Sequence, residues 1–363
     1  MSEPPTSSNE PVLTVGIPTY CRADLLDVCL ASVLPQVEER KDRVECVVSD
    51  NASTDHTDDV LKRYKDRFEC LKVFRNDSNL GIIANITKTA VELSTGTFVF
   101  LIGDDDVLTK GAIRKILKVL ESEPAPDLIA LNVGYLPRSS RPSPDCALGG
   151  VSVNCTRTLR SQRAHHLVPL EDLFDGPPAD FTASYSVVMR RAAWTSVFPE
   201  ACREPPFSSL KTTYPSGYVI AETMIDARVS SIEEPSVIIY EMPGAEFSWA
   251  RFRGVTSTRF ATELVLKFEQ AGVPRKRLLP YKRYQLEHRS EELGEMLWDK
   301  ETAGGWTDAL RFAWLLKRFP LGLAKVYLLS LLHPKAPHWL AWIPRLTLKL
   351  KKYFARRARR LSS

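Results

Sequence analysis

The sequence predicts an α/β fold: a doubly wound, mainly parallel sheet with helices on both faces, followed by a mainly helical C-terminal extension. Three observations carry this. Short apolar runs alternate with amphipathic stretches from Val12 to Val133, each stretch is long enough for a parallel crossover, and polar clusters follow the first, second and fourth runs, where strands of an open sheet present their carboxyl ends to a ligand. A chain of 363 residues, 44% of them hydrophobic, is large enough to bury such a core.

Residues 1–11 lack an apolar centre and read as a disordered leader, not a secretory signal. Val12 to Ile17 is the first strand, ended by Pro18, which has no N–H to offer a central ladder. Leu25, Leu26, Cys29, Leu30, Val33 and Leu34 share one helical face, and Pro35 marks its stop. Val44 to Ser49 is the second strand and leads to Asp50. Asp55, Asp58 and Asp59 then crowd the first turn of a helix, where the dipole favours negative charge. Leu71 to Phe74 is the third strand.

Ile82, Ile86 and Leu93 line the next helical face, which runs to Thr95-Gly96, where glycine is expected to take the left-handed conformation of a helix end. Phe98 to Ile102 is unbroken apolar sequence, as in a strand buried on both faces, and Gly103 turns the chain into Asp104-Asp105-Asp106. Thr109 is expected to cap a helix striped by Ile113, Ile116, Leu117 and Leu120 and closed by Pro124; Asp127 to Val133 is the fifth strand.

Residues 12–135 thus form one half of a domain. Its second half, 136–246, opens with a stretch from Pro137 to His166 rich in Arg, Ser, Pro and Gly, as in a mobile connection or a loop over the site. Phe181 to Met189 and Ser236 to Tyr240 read as strands, with a helix from Tyr218 to Ala227 between them; Val229 to Tyr240 should return the chain to the sheet. Residues 247–363 read as a helical region.

The formal charge of +5 is uneven, because residues 309–363 hold thirteen Lys and Arg and no Asp or Glu. From Pro344, Leu346, Leu350, Tyr353 and Phe354 share a helical face flanked by basic residues, with Trp339 and Trp342 just before. That pattern suits the headgroup region of an anionic membrane. Phe319 to Leu332 is shorter than the roughly 20 residues a spanning helix needs. The acidic body gives no reason to invoke nucleic acid. Seven cysteines without a Cys-x-x-Cys pair fit reduced thiols in the cytoplasm.

Three adjacent carboxylates repel one another, and are tolerable only when solvated or neutralised by a divalent cation or a basic partner. Asp104 and Asp106, or Asp105 with either, offer hard oxygen ligands for Mg or Mn, leaving sites for phosphate oxygens and water. Asp-rich runs also serve as plain surface turns, and Asp50 can equally be a turn residue beside Ser53.

Val-Gly-Ile-Pro-Thr-Tyr-Cys-Arg (15–22), Val-Val-Ser-Asp-Asn-Ala-Ser-Thr-Asp (47–55), Asn79-Leu-Gly-Ile-Ile-Ala-Asn85 and Gly-Asp-Asp-Asp (103–106) resemble, in order and spacing, the four signatures of family 2 glycosyltransferases of the GT-A fold. The resemblance covers residues 12–135 and is weak beyond. It implies that Pro18, Thr19 and Tyr20 line a nucleotide pocket and that Asp50 bonds the base, usually uracil, so that the donor is a UDP-sugar. It also implies that Asp104 to Asp106 stand in for the family's Asp-x-Asp: Asp104 and Asp105 at the nucleotide-sugar, Asp104 and Asp106 on a Mg or Mn ion. The implied reaction is inverting transfer to a hydroxyl of a glycan or lipid-linked glycan, in the cytoplasm and peripherally at the inner face of the membrane.

One departure stands out. The family's acidic base at the start of a helix falls near Tyr214-Pro215, where no acid stands; Glu222 is the candidate nearby, with Asp226 after it. The missing acid also supports a rival reading, a scaffold at the membrane that kept the fold and lost turnover. A dinucleotide oxidoreductase is disfavoured, since Pro-Thr-Tyr and not a glycine-rich turn follows the first strand.

Overall fold

The computed structural model of the protein describes residues 10–135, 167–175, 183–240, 250–298 and 303–315. The expected leader through residue 9, the loop at 137–166, the strand start at Phe181, the apolar stretch 319–332 and the basic tail from 344 lie outside the described residues. The chain divides into two compact units, Met1–Pro243 with Lys267–Arg277, and Gly244–Leu266 with Leu278–Ser363.

The first unit is built on strands β1 (Leu13–Thr19), β2 (Val44–Asp50), β3 (Leu71–Arg75), β4 (Phe98–Leu101), β5 (Val107–Leu108), β6 (Leu128–Tyr135), β7 (Val168–Pro169), β8 (Val187–Arg190) and β9 (Arg228–Ile239). Among the described residues they form one sheet in the order β3-β2-β1-β4-β8-β6-β9-β5, with β7 on β9. β3, β2, β1 and β4 run parallel. β8 enters antiparallel between β4 and β6, and β9 is parallel to β6.

Between these strands run α1 (Ala23–Glu38), α2 (Thr57–Lys65), α3 (Ile82–Lys88), α4 (Ala112–Leu120), α5 (Arg191–Val197) and α6 (Pro215–Thr223). Leu13, Val15 and Ile17 of β1 share one buried cluster with Leu26, Leu30 and Leu34 of α1 and Ile113 and Ile116 of α4. Burying each such side chain is worth about 1.5–3 kcal/mol. On the opposite face Gly16 meets the wide turn Thr89–Leu93, where an added Cβ would come 2.8 Å from Thr89 Cγ2. At the amino ends, buried Glu45 accepts hydrogen bonds from Thr14 (2.5 Å), the Thr95 backbone N–H (2.7 Å) and Lys72 (2.6 Å), tying β1, β2, β3 and the entry to β4 together.

Several local expectations are corrected. Pro18 does not end β1: the strand continues to Thr19, paired with Asp50 of β2. Even-numbered residues of β1 face β4, whose ladder stops at Gly16–Leu101, so the proline forfeits no ladder bond. Pro35 does not end α1 either. Val37 is fully buried and extends the apolar face, and the Gln36 side chain donates to the Ser32 carbonyl at 2.9 Å.

Gly96 is not left-handed; it is needed because a Cβ would sit 2.7 Å from the Thr14 backbone nitrogen. The buried face of α3 carries Ile83, Asn85 and Thr87, whereas Ile82 is 39% exposed, because polar contacts to β2 set the helix's rotation. Thr109 does not cap α4. Its hydroxyl donates to the Pro235 carbonyl of β9 at 2.8 Å, and left-handed Gly111 precedes the helix. Val229 to Tyr240 does return to the sheet, as the single twelve-residue strand β9, with a register shift opposite Asn132.

Further helices are α7 (Ala261–Ala271), α8 (Arg275–His288), α9 (Ser290–Trp298) and α10 (Trp306–Leu315). The segment from Lys267 belongs to the first unit, where Phe268 packs edge-on to Phe174 with centroids 5.0 Å apart. Within the second unit Arg259 bridges Glu263 (3.1 Å) and Asp308 (2.5 Å).

Candidate functional site

The carboxyl ends of β1, β2 and β4 converge on one edge of the sheet. Thr19 ends β1, and its hydroxyl donates to Asp104 Oδ2 at 2.7 Å, reaching the turn that follows β4. The loops after β1 and β2 are laced together: the Asn51 N–H donates to the Thr19 carbonyl (3.0 Å), and the Cys21 N–H donates to Ser53 Oγ (2.8 Å). Both loops use a left-handed residue, Cys21 at φ 51° and Ala52 at φ 62°, a conformation that side chains beyond glycine seldom adopt. Asp55 closes the arrangement, accepting from the first backbone N–H of both α1 (3.1 Å) and α2 (3.1 Å).

Two of the three acids of the turn share a partner. Asp104 takes Thr19 on one oxygen and Arg22 on the other at 3.1 Å, and the same Arg22 nitrogen donates to Asp105 Oδ2 at 3.0 Å. Asp106 lies beside the backbone of Tyr240, just beyond β9, which works against the rise that burial gives its carboxyl. Gly103 is required for this crowding, since a Cβ there would lie 2.7 Å from Asp105 Oδ1 and 2.8 Å from Asp106 Oδ2.

Burial and the neighbouring Asp105 charge raise Asp104 to about 6 against the pull of Arg22. Burial raises Asp105, again opposed by Arg22, while burial and the Asp105 charge hold Asp106 well above the usual carboxylate range. Arg22 therefore only partly neutralises the trio.

This donor set suits a hard divalent ion in part. Asp104 and Asp106 are nearly buried oxygen donors short of positive charge. Among the described residues, however, no three Asp, Glu, His or Cys side chains surround a common point. An ion held here would bring most of its coordination sphere with it.

Asp50 is fully buried. One oxygen accepts the Ser53 N–H at 3.0 Å and the other pairs with Arg75, its register partner on β3. Pro18 and Thr19 stand on the same edge, and Tyr20 beyond them is 43% exposed, open to a planar ligand. Asn51, Asn76 and Asn85 form a buried amide network with Ser49 that fixes the loop before α3. Arg22 and Arg75 carry site electrostatics that the sequence reading left unassigned. Arg22 lies inside the Pro-Thr-Tyr-Cys-Arg run, and Arg75 ends a strand in register with Asp50, which were the available signals.

Glu222 is placed elsewhere. It pairs with Lys267 at 2.5 Å, which with the Tyr218 hydroxyl holds its carboxyl below the usual range. It lines a cleft of about 820 Å³ together with Asp127 and Arg190. Arg190 pairs in register with Phe98, the first residue of β4, and Asp127 precedes β6, so the cleft lies at the amino edge of the sheet while the acid trio follows the carboxyl end of β4. The first turn of α6, beginning at Pro215, carries no acid.

Residues 14–144 match the model of Glycosyl transferase family 2. Validoxylamine A glucosyltransferase of Streptomyces hygroscopicus is 36% identical over 141 residues, 38% of this chain and 33% of that protein. The chain thus spans about a third of the length of that curated relative. In structure, S. aureus TarS 1-349 in complex with UDP-GlcNAc superimposes with a TM-score of 0.55 at 15% identity, covering 88% of this chain and 86% of that one. Mannosyltransferase PcManGT from Pyrobaculum calidifontis, in complex with GDP-Man and Mn2+, gives 0.53 at 16% identity, covering 96% and 83%. At these identities the structural likeness is one of fold.

Proposed function

We propose, on the premise that residues 14–144 belong to glycosyl transferase family 2 and carry its GT-A fold, that the chain moves a sugar from a nucleotide-diphosphate donor to an acceptor hydroxyl. The observation that carries this reading is the Thr19–Asp104–Arg22–Asp105 constellation: two turns distant in sequence, after β1 and after β4, meet at the carboxyl edge, where an open α/β sheet binds ligands.

In this reading Pro18, Thr19 and exposed Tyr20 receive the nucleoside, with Asp50 beneath, held by Ser53 and Arg75. Asp104 and Asp105 face the diphosphate, and Asp104 and Asp106 are the residues to hold Mg or Mn. A bound divalent ion would supply Lewis-acid stabilisation of the charge that collects on the leaving diphosphate. Thr19 fixes the orientation of Asp104, and Arg22 supplies positive charge beside the phosphates. A UDP-sugar is the proposed donor, and a glycan or lipid-linked glycan the proposed acceptor. Glu222, tied to Lys267 at the other edge, is not proposed as the base.

We place the reaction in the cytoplasm at the inner membrane face, on the strength of the basic sequence from residue 344. Among the described residues no helix is long and apolar enough to cross a membrane.

The test is a panel of nucleotide-sugars followed by calorimetry and by donor hydrolysis, with and without Mn2+. One donor should bind and turn over, and Asp104→Ala with Asp106→Ala should abolish both. A protein that binds no nucleotide-sugar is the scaffold instead; a double variant with intact turnover removes the acid trio from the mechanism.

A further inference from the structure

Among the described residues Arg22 pairs with two of the three acids, and its position is unusual for a phosphate-binding group. Its NH1 bridges Asp104 and Asp105 at 3.1 and 3.0 Å, while Thr19 occupies the second oxygen of Asp104. Both oxygens of Asp104 and one of Asp105 are therefore already taken. A cation approaching these carboxylates meets a guanidinium where its own ligands should be.

We propose that Arg22 is an exchangeable counter-ion: it holds Asp104 and Asp105 while no donor is bound, and it must leave them before a divalent cation can bind, so that metal is admitted only together with a diphosphate. This rests on the donor-site reading above.

The side chain is placed for such an exchange. Arg22 stands immediately before α1, in non-helical backbone (φ −138°, ψ 43°), and its side chain keeps 24% of its surface exposed, so a route to solvent is open. Three carboxylates stand together in this turn and the single charge of Arg22 reaches Asp104 and Asp105, so a doubly charged ion has something to gain there. Taken alone, the ion must strip Arg22 of two charge-assisted hydrogen bonds and leave it without a partner. A diphosphate changes this, because phosphate oxygens match the planar donor fork of arginine. The guanidinium then exchanges carboxylate for phosphate, and metal and diphosphate each strengthen the other's binding.

The experiment is Mn2+ binding followed by electron paramagnetic resonance, with and without UDP, on the full chain and on Arg22→Gln and Arg22→Lys. The wild type should bind Mn2+ weakly alone and far more tightly with UDP. Arg22→Gln should bind Mn2+ alone about tenfold more tightly than the wild type, a usual size for coupling between sites, and should gain less from UDP. Thermal melts give an independent readout: Mn2+ alone should raise the midpoint of the variant and not that of the wild type. If Arg22→Gln does not fold, Arg22→Lys carries the comparison, since it keeps the charge but loses the fork and should show a smaller gain of the same sign. Unchanged Mn2+ affinity in the folded variants, with UDP-dependent binding intact in the wild type, overturns the inference and leaves the metal site standing. A wild type that holds no Mn2+ even with UDP overturns both.

Discussion

Thr19 and Asp104 are 85 positions apart in sequence and joined by a 2.7 Å hydrogen bond between buried side chains. The bond links the last residue of β1 to the turn after β4, and it leaves Asp104 the other oxygen, which Arg22 holds at 3.1 Å. Thr19→Val keeps the shape and removes the donor. Stability should fall by about 1–3 kcal/mol, the usual cost of stranding a buried acceptor. UDP affinity by calorimetry should fall with it, and Thr19→Ser should restore most of both.

The acid trio makes stability depend on pH with a definite sign. A carboxyl whose folded pKa is raised binds more protons folded than unfolded between its ordinary 3.8 and its raised value, which for Asp104 is about 6. Its favourable contribution is fully present below 3.8 and is lost as pH rises through the folded value. Asp106, pushed well above the ordinary range by burial and the Asp105 charge, follows the same sign. Asp106→Asn, freed of metal with chelator, should therefore raise the urea midpoint at pH 8, with the gain shrinking toward pH 4. A variant less stable than the wild type at pH 8 would refute the assignment of uncompensated charge.

Two glycines should fail for different reasons. Gly96→Ala drives a Cβ to 2.7 Å from the Thr14 nitrogen in ordinary backbone, a clash with main chain that should cost about 1–3 kcal/mol. Gly81 has φ +86° and ψ 158° with nothing within 4 Å of an added Cβ, so Gly81→Ala should cost only the penalty of a backbone region open essentially to glycine alone, about 1–3 kcal/mol. Chemical denaturation of the two variants measures this. Gly81→Asn should do no better than Gly81→Ala, while Gly96→Asn should be worse than Gly96→Ala.

Glu222→Gln removes one charge of the exposed pair with Lys267, at the amino edge of the sheet. Donor hydrolysis should stay within about twofold of the wild type, as expected for a surface pair remote from the chemistry. A loss of orders of magnitude in kcat would bring Glu222 back as the base.

The parallel core was legible because β1, β2 and β4 are mainly apolar runs, each followed by polar residues. That pattern alone places Thr19, Asp50 and Asp104 on one edge. What the sequence hid were side-chain partnerships. Asp50 and Arg75 meet only through strand register, and Arg22 reaches Asp104 across a turn whose shape depends on left-handed Cys21. Local rules failed at Pro18, Pro35 and Thr109 because tertiary context outweighed them: a ladder that had already stopped, an apolar face that continued, and a carbonyl of β9 within reach. The mixed half of the sheet was not foreseen. β5 is two residues long, and no pattern in β8 marks it as antiparallel.

The entry of β8 between β4 and β6 bears on how the protein can be cut. A fragment stopping at Tyr135 would retain every motif of the acid-bearing half, yet β4 and β6 would each have an open flank where β8 belongs, and β6 would also lack β9. Three bare hydrophobic strand margins, one on β4 and two on β6, invite intermolecular pairing. Expression of residues 12–135 alone should therefore yield aggregate, and soluble truncations will need to run past Ile239.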